Sequence, residues 1–463
     1  MKQSPIYTVP FDVPELPFEE AVSIAADTGV ISGDAGPLLE TVVEMLDELE
    51  RPDAHMDCIQ VAGTNGKSST TRFAAAILAG EGRRCALYTS PQLVRYPERM
   101  EVGGHPVSDA AFAHGVSAAS EAGRRVNERR AAAGETAYAI TPFDLLTVAA
   151  LVIFAEAAVD VAVLEVGLGG RWDATSATNP VAVAITGIGL DHMRILGDTL
   201  AEIAGEKAAV IKPGRAVVLG EGTHEPSVAA VMEERCRAAG VTPITAAHEV
   251  LRLPHHLGDE LRVRVRGVHA DYEVGIAKPA YQGQNLACAI LLAEAYLGRA
   301  LSADRLQASL AACPTPGRFD VLRREPLLLV DACHNPQSCE NFVASLDEIA
   351  PDRARRPTLL IAALTDKDVA GIVRVLAPAF PAFAVTQTAS ARALPADDLA
   401  RLLRDELAAE GRADAEVTVF DSVAAALDAS AESGSPLVAA GTITLAGEVA
   451  GLVRRSEGTD AKK

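Results

Sequence analysis

The stretch 61–70, VAGTNGKSST, constrains the fold more than any other part of this chain. A short apolar strand over Asp57–Ala62 leads into a glycine loop, after which Lys67 and two serines open a helix. Glycines let backbone N–H groups turn inward around a phosphate, the helix N-terminus adds partial positive charge, and the lysine can neutralise the β- and γ-phosphates. The pattern G-x-x-x-x-G-K-[ST] has glycine where this chain has Val61, so the generic match is imperfect. The strand–loop–helix context nevertheless favours a nucleotide site over an incidental turn.

Predicted strands and helices alternate around this loop, which indicates an α/β, doubly wound and mostly parallel sheet in the N-terminal domain. Several strands are continuous apolar runs rich in valine, as expected for strands buried on both faces. The predicted strands are Cys85–Tyr88, 159–166 and 181–186. The predicted helices are Pro142–Glu156, Gln282–Leu297 and two helical stretches within 18–49 around a break at 33–36.

A second, smaller α/β domain of Rossmann-like type is predicted after the sequence CPTPG at 313–317. Two prolines and a glycine without periodicity are typical of a linker. We therefore predict a first domain over 1–312, a linker over 313–318 and a second domain over 319–463. The charged and apolar alternation within 250–275 predicts antiparallel strands. In the second domain we predict strands Leu327–Val330, 358–363, 382–386 and Leu437–Ala440 and a helix over 395–407.

The composition excludes some classes of protein. Hydrophobic residues make up 49% of the 463 residues, enough to fill a core, which argues against disorder. The 62 acidic and 42 basic residues give a net charge of −20, whereas a nucleic-acid binder would normally have a basic face. The basic run 124–130, RRVNERR, is interpreted as a solvated helix face, with anion binding as the alternative.

The compartment is expected to be the cytoplasm. The seven cysteines form no C-x-x-C pair and are odd in number, so we expect buried reduced thiols rather than a disulfide framework. Residues 1–17 lack the apolar segment of a signal peptide. The most apolar stretch, 145–166, is interrupted by Glu156, Asp160 and Glu165, so it is not expected to span a membrane.

Four further features could carry chemistry. Glu165 ends a predicted strand where doubly wound sheets bind ligands, so it could hold Mg²⁺, and the glycine-rich turn behind it makes an ordinary salt bridge the weaker interpretation. His192 also follows a strand, but a single histidine is usually structural. Lys207 on an apolar helix face would normally extend to water. The sequence DACHNP at 331–336 fits contacts to a ribose or base and fits an Asn-Pro turn capped by aspartate equally well.

Taken together and in order, the motifs resemble those of the folylpolyglutamate synthase/dihydrofolate synthase family, a branch of the Mur ligase superfamily. The resemblance runs from about residue 18 to residue 448, and the set is far more specific than any one fragment. The motifs are GTNGKSS (63–69), LYTSPQLVRYPERM (87–100), TPFDLLTVAALVIFA (141–155), DVAVLEVGLGGRWDAT (160–175), ITGIGLDHMRILGDTLAEIAGEKAAVIKPG (185–214), PGRFDV (316–321), DACHNP (331–336) and LTDKD (364–368).

The resemblance implies an ATP-dependent carboxylate–amine ligase of folate biosynthesis and one-carbon metabolism. A substrate carboxylate would attack the γ-phosphate to give an acyl phosphate, and the amino group of L-glutamate would then displace phosphate. The family further implies Mg²⁺, with two ions expected, and a monomer acting on small molecules (L-glutamate and a pterin-type acceptor), without nucleic-acid or membrane partners.

The resemblance also implies roles for individual residues. For the nucleotide these are Gly63, Thr64, Asn65, Gly66, Lys67, Ser68, Ser69, Asn285, Arg318 and Asp331, with His334 near the adenosine. The metal ligands that it implies are Ser90 and Glu165 on one Mg²⁺ and His192 on a second. For the acceptor these are Phe143, Asp144, Arg171, Trp172 and Asp173. Lys207 matches the lysine that is carbamylated in the superfamily, so Lys67, Lys207 and His192 are the predicted catalytic set.

Several positions depart from the family pattern, mostly near the acceptor site. The departures are Ser68 for the glycine of GTNGKGS, Gln92 for the histidine of TSPHL, Gly187 for the serine of TSIGLDH, Asp144 for a glutamate, Ala332 and Cys333 in DACHNP for DGAHNP, and Tyr281 for the histidine of HQxxN. They leave the acceptor open, between dihydropteroate, a folyl mono- or polyglutamate, or both.

Two other functions stay open at this point. A paralogue with the same chemistry could join an amino acid to a different carboxylate, which the departures near the acceptor site would explain. A nucleotide-binding regulator without ligase activity is the third possibility. The presence of Lys67, Glu165, His192 and Lys207 together argues against it.

Overall fold

The computed structural model describes residues 7–26 and 39–460, with side chains as far as Arg455. The predicted break at 33–36 lies outside the described residues. The chain divides into two compact units. The first comprises Met1–Glu249, Arg264–Val274 and Gln282–Cys313, and the second comprises Val250–Val263, Gly275–Tyr281 and Pro314–Lys463. The main division therefore follows Cys313, and two short segments before it belong to the second unit. The predicted domain limits stay a prediction.

The first unit is built on an eight-stranded sheet with the order β4-β3-β2-β5-β1-β6-β7-β8. Its strands are β1 (Asp57–Ala62), β2 (Cys85–Tyr88), β3 (Met100–Val102), β4 (His105–Pro106), β5 (Val161–Glu165), β6 (Ala182–Gly187), β7 (Ala216–Gly222) and β8 (Ile244–Thr245). All neighbouring pairs are parallel except β2–β3 and β3–β4. In the register of the central pair, Val61 of β1 lies opposite Glu165 of β5. The loops that follow β1, β2, β5 and β6 therefore leave the sheet at one edge.

Helices cover this sheet because its central strands are apolar on both faces. The helices are α1 (Phe18–Ala26), α2 (Leu39–Glu48), α3 (Lys67–Gly80), α4 (Asp109–Ala132), α5 (Pro142–Glu156), α6 (Met193–Leu196), α7 (Leu200–Ala208), α8 (Pro226–Ala239), α9 (Gln282–Leu297) and α10 (Ala303–Ala312). Ala162 and Leu164 of β5 share a core with α1, α2, α4 and α5. Val183 and Ile185 of β6 share another with α7 and α8. Helix α3 packs against β1, β2 and β5, and α9 packs against α3, β6 and β7.

The basic run 124–130 lies on α4 and is engaged in surface ion pairs. Arg124 Nη2 is 2.6 Å from Glu121 Oε1, and Arg129 pairs with Glu48 of α2. Arg124 keeps about half of its side chain exposed. These contacts support the solvated face rather than the anion site.

A small three-stranded sheet has the order β11-β10-β9. Its strands are β9 (His248–Arg252), β10 (Leu261–Arg266) and β11 (Asp271–Ile276). A hydrogen bond from Gly267 N to Ala270 O (2.9 Å) closes the short turn that makes β10 and β11 a hairpin. This agrees with the antiparallel strands predicted within 250–275.

The second unit has a six-stranded sheet with the order β12-β13-β17-β14-β15-β16. Its elements are β12 (Asp320–Arg324), β13 (Leu327–Val330), α11 (Pro336–Ile349), β14 (Thr358–Ile361), α12 (Val369–Leu376), β15 (Ala382–Val385), α13 (Ala396–Ala409), β16 (Glu416–Val419), α14 (Val423–Ser433), β17 (Leu437–Ala440) and α15 (Ile443–Asp460). Within the described part of this unit, β12 alone pairs antiparallel. The two mostly parallel sheets confirm the predicted α/β class. Among the described residues, no helix is long and apolar enough to cross a bilayer.

Candidate active site

The glycine loop lies between β1 and α3, and two of its backbone carbonyls accept hydrogen bonds from Lys67. Strand β1 ends at Ala62, Gly66 is the residue before the helix, and α3 begins at Lys67. The Lys67 ammonium donates to the carbonyls of Gly63 (3.1 Å) and Thr64 (3.0 Å). The loop thus places a cation beside the N-terminus of a fourteen-residue helix. Both features attract a phosphate.

Two glycines of the loop are required by close contacts. Gly63 has φ +146°, and a Cβ there would lie 2.0 Å from Thr186 Oγ1. Gly66 has φ +81°, and a Cβ there would lie 2.1 Å from Asn285 Oδ1. The loop is therefore pressed between the end of β6 and the start of α9, and neither position can accept a larger residue without movement.

The start of α9 is hydrogen-bonded to the start of α3. The buried Asn285 donates from Nδ2 to Gln282 Oε1 (2.9 Å), and Gln282 Nε2 donates to Ser69 Oγ (3.2 Å). Thr70 Oγ1 donates to the carbonyl of Asn285 (3.3 Å). Asn285 thus lies beside the loop, as its predicted nucleotide role requires. Gln282 was not among the predicted site residues, although the sequence YQGQN contained it.

The segment after β6 is fastened to the glycine loop. Thr64 N donates to Gly187 O (2.8 Å), and Gly189 N donates to Thr64 Oγ1 (2.9 Å). Thr186 Oγ1 donates to Asn65 O (2.6 Å). These bonds bring the loop that carries His192 next to the glycine loop.

Glu165 is buried at the end of β5, and Ser68 and Ser90 donate hydrogen bonds to its carboxylate. Ser68 Oγ donates to Oε1 (2.7 Å), and Ser90 N donates to Oε2 (3.2 Å). The structure therefore places the predicted metal ligands Ser90 and Glu165 side by side, with the loop serine as a third oxygen group. Mg²⁺ prefers oxygen ligands and keeps several from water and nucleotide phosphates, so this donor set fits magnesium.

His192, the ligand predicted for a second Mg²⁺, is in a different environment. It is more than half exposed, its backbone has φ +50°, and its Nε2 lies 3.7 Å from Asp191 Oδ2. Across the described part of the chain, no three His, Cys, Asp or Glu side chains are grouped closely enough to hold a metal ion. The protein side chains alone therefore do not assemble the second metal site.

Lys207 lies near the end of α7 and is 4% exposed. Burial, and next the positive charge of Lys67, lower the pKa of Lys207 to about 8, while Asp191 and Asp173 act in the opposite direction. An amine with this pKa is neutral in about a tenth of molecules at pH 7, far more often than an ordinary lysine. A neutral amine is the form that can add to carbon dioxide.

Asp173 organises the loop that follows β5. Its Oδ2 accepts from the backbone N–H groups of Gly167 (2.9 Å) and Leu168 (3.0 Å), and its Oδ1 accepts from Thr175 N (3.0 Å) and Thr175 Oγ1 (2.5 Å). Burial raises the pKa of Asp173 despite these donors. Both carboxylate oxygens are thus used to shape the loop. The sequence signal for this role was the spacing D-x-T, which commonly forms an aspartate turn.

Asp144 and Phe143, two other predicted acceptor residues, stand at the start of α5. Asp144 forms a capping box with Thr141, accepting from Thr141 N (3.0 Å), and burial raises the pKa of Asp144. Phe143 packs on Gly167, where a Cβ would lie 2.5 Å from the ring, and its centroid is 5.9 Å from that of Tyr88. Phe143 therefore lines the same loop that Asp173 shapes.

Arg171 and Trp172 are the exposed members of the predicted acceptor set. The side chain of Arg171 is 47% exposed, and Trp172, measured over the whole residue, is also 47% exposed. Arg171 Nε donates to Glu206 Oε1 (2.9 Å). These two side chains are the ones available to a large substrate at this loop.

Asp331, one of the predicted nucleotide residues of the second unit, is a buried carboxylate held by backbone donors. Asp331 accepts from Phe319 N and from Cys333 N, each at 2.9 Å. Burial raises the pKa of Asp331, and the charge of Arg318 opposes that shift. Lys278, which the sequence did not single out, donates to the carbonyls of Arg318 (3.3 Å) and Phe319 (2.9 Å).

His334 has a defined tautomer in this loop. Its Nδ1 donates to the carbonyl of Ala332 (2.9 Å), which can only accept. The Nε2 atom of the neutral ring is therefore an acceptor. The backbone N–H of His334 also donates to Ser338 Oγ (3.0 Å).

Comparison with known proteins identifies the family to which the chain belongs. The glutamate ligase domain of Mur ligases matches residues 317–443. The dihydrofolate synthase/folylpolyglutamate synthase of Mycobacterium tuberculosis is 35% identical over 379 residues, which cover 79% of this chain and 77% of that protein. The chain belongs to the folylpolyglutamate synthase/dihydrofolate synthase family.

Other members of the family agree with this assignment. The folylpolyglutamate synthase of Lacticaseibacillus casei is 31% identical over 363 residues, covering 76% of this chain and 82% of that protein. A crystal structure of Mycobacterium tuberculosis folylpolyglutamate synthase complexed with ADP and AMPPCP superimposes with a TM-score of 0.75 at 30% identity, covering 90% of this chain and 95% of that one. The predicted family and the predicted class of enzyme, a ligase, are confirmed.

Proposed function

We propose that this protein is an ATP-dependent ligase that adds L-glutamate to a folate-type acceptor, either dihydropteroate, a tetrahydrofolyl mono- or polyglutamate, or both. The observation that carries the proposal is the pairing of the Lys67 loop with the buried carboxylate of Glu165 at one sheet edge. Family membership adds the class of reaction.

The reaction needs an activated acyl group, because a carboxylate is a poor acyl donor. An oxygen of the acceptor carboxylate forms a bond to the γ-phosphorus, and the bond to the β-phosphate oxygen breaks, releasing ADP. The amino nitrogen of glutamate, after losing a proton, then attacks the acyl carbon. The carbon–oxygen bond to phosphate breaks, which leaves an amide and inorganic phosphate. Positioning and charge neutralisation are the protein's main tasks.

The loop from Gly63 to Lys67 binds and orients the phosphates. The Lys67 ammonium moves from the loop carbonyls toward the β- and γ-phosphate oxygens, and the first turn of α3 supplies backbone N–H groups. Asn285, held against Gly66, keeps the loop in its narrow shape.

Glu165 and Ser90 would hold Mg²⁺, and His192 would contribute to a second ion once nucleotide oxygens are present. Magnesium, when bound, neutralises phosphate charge during transfer. The hydrogen bonds from Ser68 and Ser90 help to fix the direction of the Glu165 carboxylate before the nucleotide arrives.

Lys207 is proposed to be carbamylated in the active enzyme. The neutral amine forms a nitrogen–carbon bond to carbon dioxide and loses a proton, so a cation becomes an anion. The burial of Lys207 supports this chemistry, since burial lowers the pKa to about 8 and supplies the neutral amine.

The acceptor is proposed to bind at the loop shaped by Asp173. Trp172 offers an exposed ring for stacking on a pterin, Arg171 offers a charge for a carboxylate, and Phe143 lines the loop. In the second unit, Arg318, Asp331 and His334 are proposed to contact the nucleotide. We further propose a cytoplasmic monomer with small-molecule partners only.

A substrate-omission assay tests this proposal. Purified protein is incubated with ATP, Mg²⁺ and L-glutamate, and ADP release is followed with dihydropteroate or tetrahydrofolate. We expect release that requires both the pterin and glutamate, and transfer of a heavy oxygen isotope from the acceptor carboxylate to phosphate. Turnover only with a carboxylate that lacks a pterin would support the paralogue instead. Slow ATP turnover without product would support the regulator.

A further inference from the structure

The two consecutive serines that open α3 point to different partners. Ser69 is 5% exposed, and its Oγ accepts from Gln282 Nε2 (3.2 Å). Ser68 is only partly buried, and its Oγ donates to Glu165 Oε1 (2.7 Å). In phosphate-binding loops a hydroxyl after the lysine meets the magnesium of the nucleotide, and either serine could supply it by its place in the sequence. The structure separates them.

The position of Ser68 suits a metal-directed hydroxyl for two reasons. It follows the lysine of the loop directly, which is where phosphate-binding loops carry the hydroxyl that meets Mg²⁺. Because its proton is given to an anionic carboxylate, its oxygen lone pairs are free to turn away from Glu165 and are electron-rich. Ser69 lacks both properties, since its oxygen already accepts a bond inside the helix–helix contact.

We propose that Ser68, and not Ser69, is the loop hydroxyl that acts with Glu165 in binding the magnesium of the bound nucleotide. The inference rests on the proposed function and makes its metal site specific. The family pattern has a glycine at this position, so the hydroxyl is a property of this chain rather than of the family pattern. Ser69 is a structural residue that fixes α9, and through it Asn285, against the loop.

The matched variants Ser68→Ala and Ser69→Ala test the proposal in the full-length protein. Calorimetric titration with ADP is run once with Mg²⁺ and once with a chelator. We expect Ser68→Ala to weaken the magnesium-dependent binding about tenfold while leaving binding in chelator nearly unchanged. Ser69→Ala should change affinity by the same factor in both buffers, because it disturbs the loop rather than the metal.

Direct metal binding gives a second readout that does not depend on turnover. With ADP saturating, Mn²⁺ is titrated and followed by electron paramagnetic resonance. Ser68→Ala and Ser68→Gly should bind Mn²⁺ about tenfold more weakly than wild type, and Ser68→Thr, which keeps the hydroxyl, should restore most of the affinity. The glycine variant covers the case in which the alanine variant fails to fold.

The outcomes distinguish a failure of the Ser68 assignment from a failure of the proposed ligase function. Equal magnesium dependence in wild type and Ser68→Ala, or a selective loss in Ser69→Ala, would overturn the assignment of Ser68 while leaving the ligase function intact. A wild-type protein that binds no nucleotide in either buffer would overturn both.

Discussion

The ammonium of Lys207 is buried and is repelled by that of Lys67. Burial first, and this repulsion second, lower the pKa of Lys207 to about 8 from its ordinary 10.5. The protein thus keeps a lysine where its charge is unfavourable. A lowering of this size corresponds to roughly 3 kcal/mol of folding free energy below pH 8. Such a cost is typical of a functional site rather than of a structural one.

Lys207→Met should therefore raise stability and abolish turnover. Between pH 8 and 10.5 the unfolded wild type binds more protons than the folded wild type, so its stability rises with pH there, and at pH 7 it carries the full cost. Urea unfolding in buffer free of carbon dioxide should show the variant more stable than wild type at pH 7, with the difference shrinking by pH 10. A variant less stable than wild type at pH 7 would show that the lysine is structural.

Lys67→Ala should reduce ligase turnover by several orders of magnitude, because the cation that balances the β- and γ-phosphates is lost. Lys212→Ala removes a half-buried lysine outside the loop and should stay within a few-fold of wild type. Steady-state ADP release measures both, and thermal unfolding checks that both are folded. Near-normal turnover of Lys67→Ala would refute the role of the loop.

Gly66→Ala and Gly82→Ala form a matched pair at similar backbone angles, φ +81° and +89°. Each should lose roughly 1 kcal/mol of stability from the left-handed conformation. Only at Gly66 does the new methyl meet Asn285, since a Cβ at Gly82 has nothing within 4 Å. Gly66→Ala alone should therefore weaken ADP binding at least about tenfold by calorimetry. Equal ADP affinities in the two variants would show that the close approach of Gly66 to Asn285 does not matter for nucleotide binding.

Trp172 is the single tryptophan of the chain, so intrinsic fluorescence reports on its environment without ambiguity. We expect its emission to change when dihydropteroate or tetrahydrofolate is added, and Trp172→Ala to raise the KM for the acceptor about tenfold while changing the KM for ATP little. Unchanged emission at an acceptor concentration that saturates turnover would place the pterin elsewhere.

Much of the fold follows from local sequence. The bounds of β1, β2, α5 and α9 coincide with the predicted ones, because each is an apolar run of the right length between glycines, prolines or polar residues. Strands β3 and β4 were not predicted. They are three and two residues long, respectively, and form an edge hairpin, so they lack the periodicity that identifies a strand.

The site was predictable in part. Lys67 and Glu165 could be brought together because Lys67 follows one central strand, Glu165 ends another, and parallel strands end at one edge. Long-range contacts could not be derived in the same way. Gly66 meets Asn285 across more than two hundred residues of chain, and nothing in either local motif encodes that approach.

Asp173 illustrates a different difficulty. The family resemblance implies that Asp173 binds the acceptor, whereas in the structure its carboxylate accepts four hydrogen bonds that hold the loop. From sequence, an aspartate at this position fits both a carboxylate that shapes the site and one that touches the substrate. The hydrogen-bond donors around it in the structure distinguish the two roles.

The ligase proposed here joins glutamate to the carboxylate of a pterin-bearing acceptor. Mass spectrometry of the products formed from dihydropteroate or tetrahydrofolate with ATP, Mg²⁺ and L-glutamate tests this most directly. We predict a product heavier than the acceptor by one glutamyl residue, formed together with an equal amount of ADP and absent with Lys67→Ala. If no pterin gains a glutamyl residue under conditions in which the protein binds ATP, the claim is contradicted.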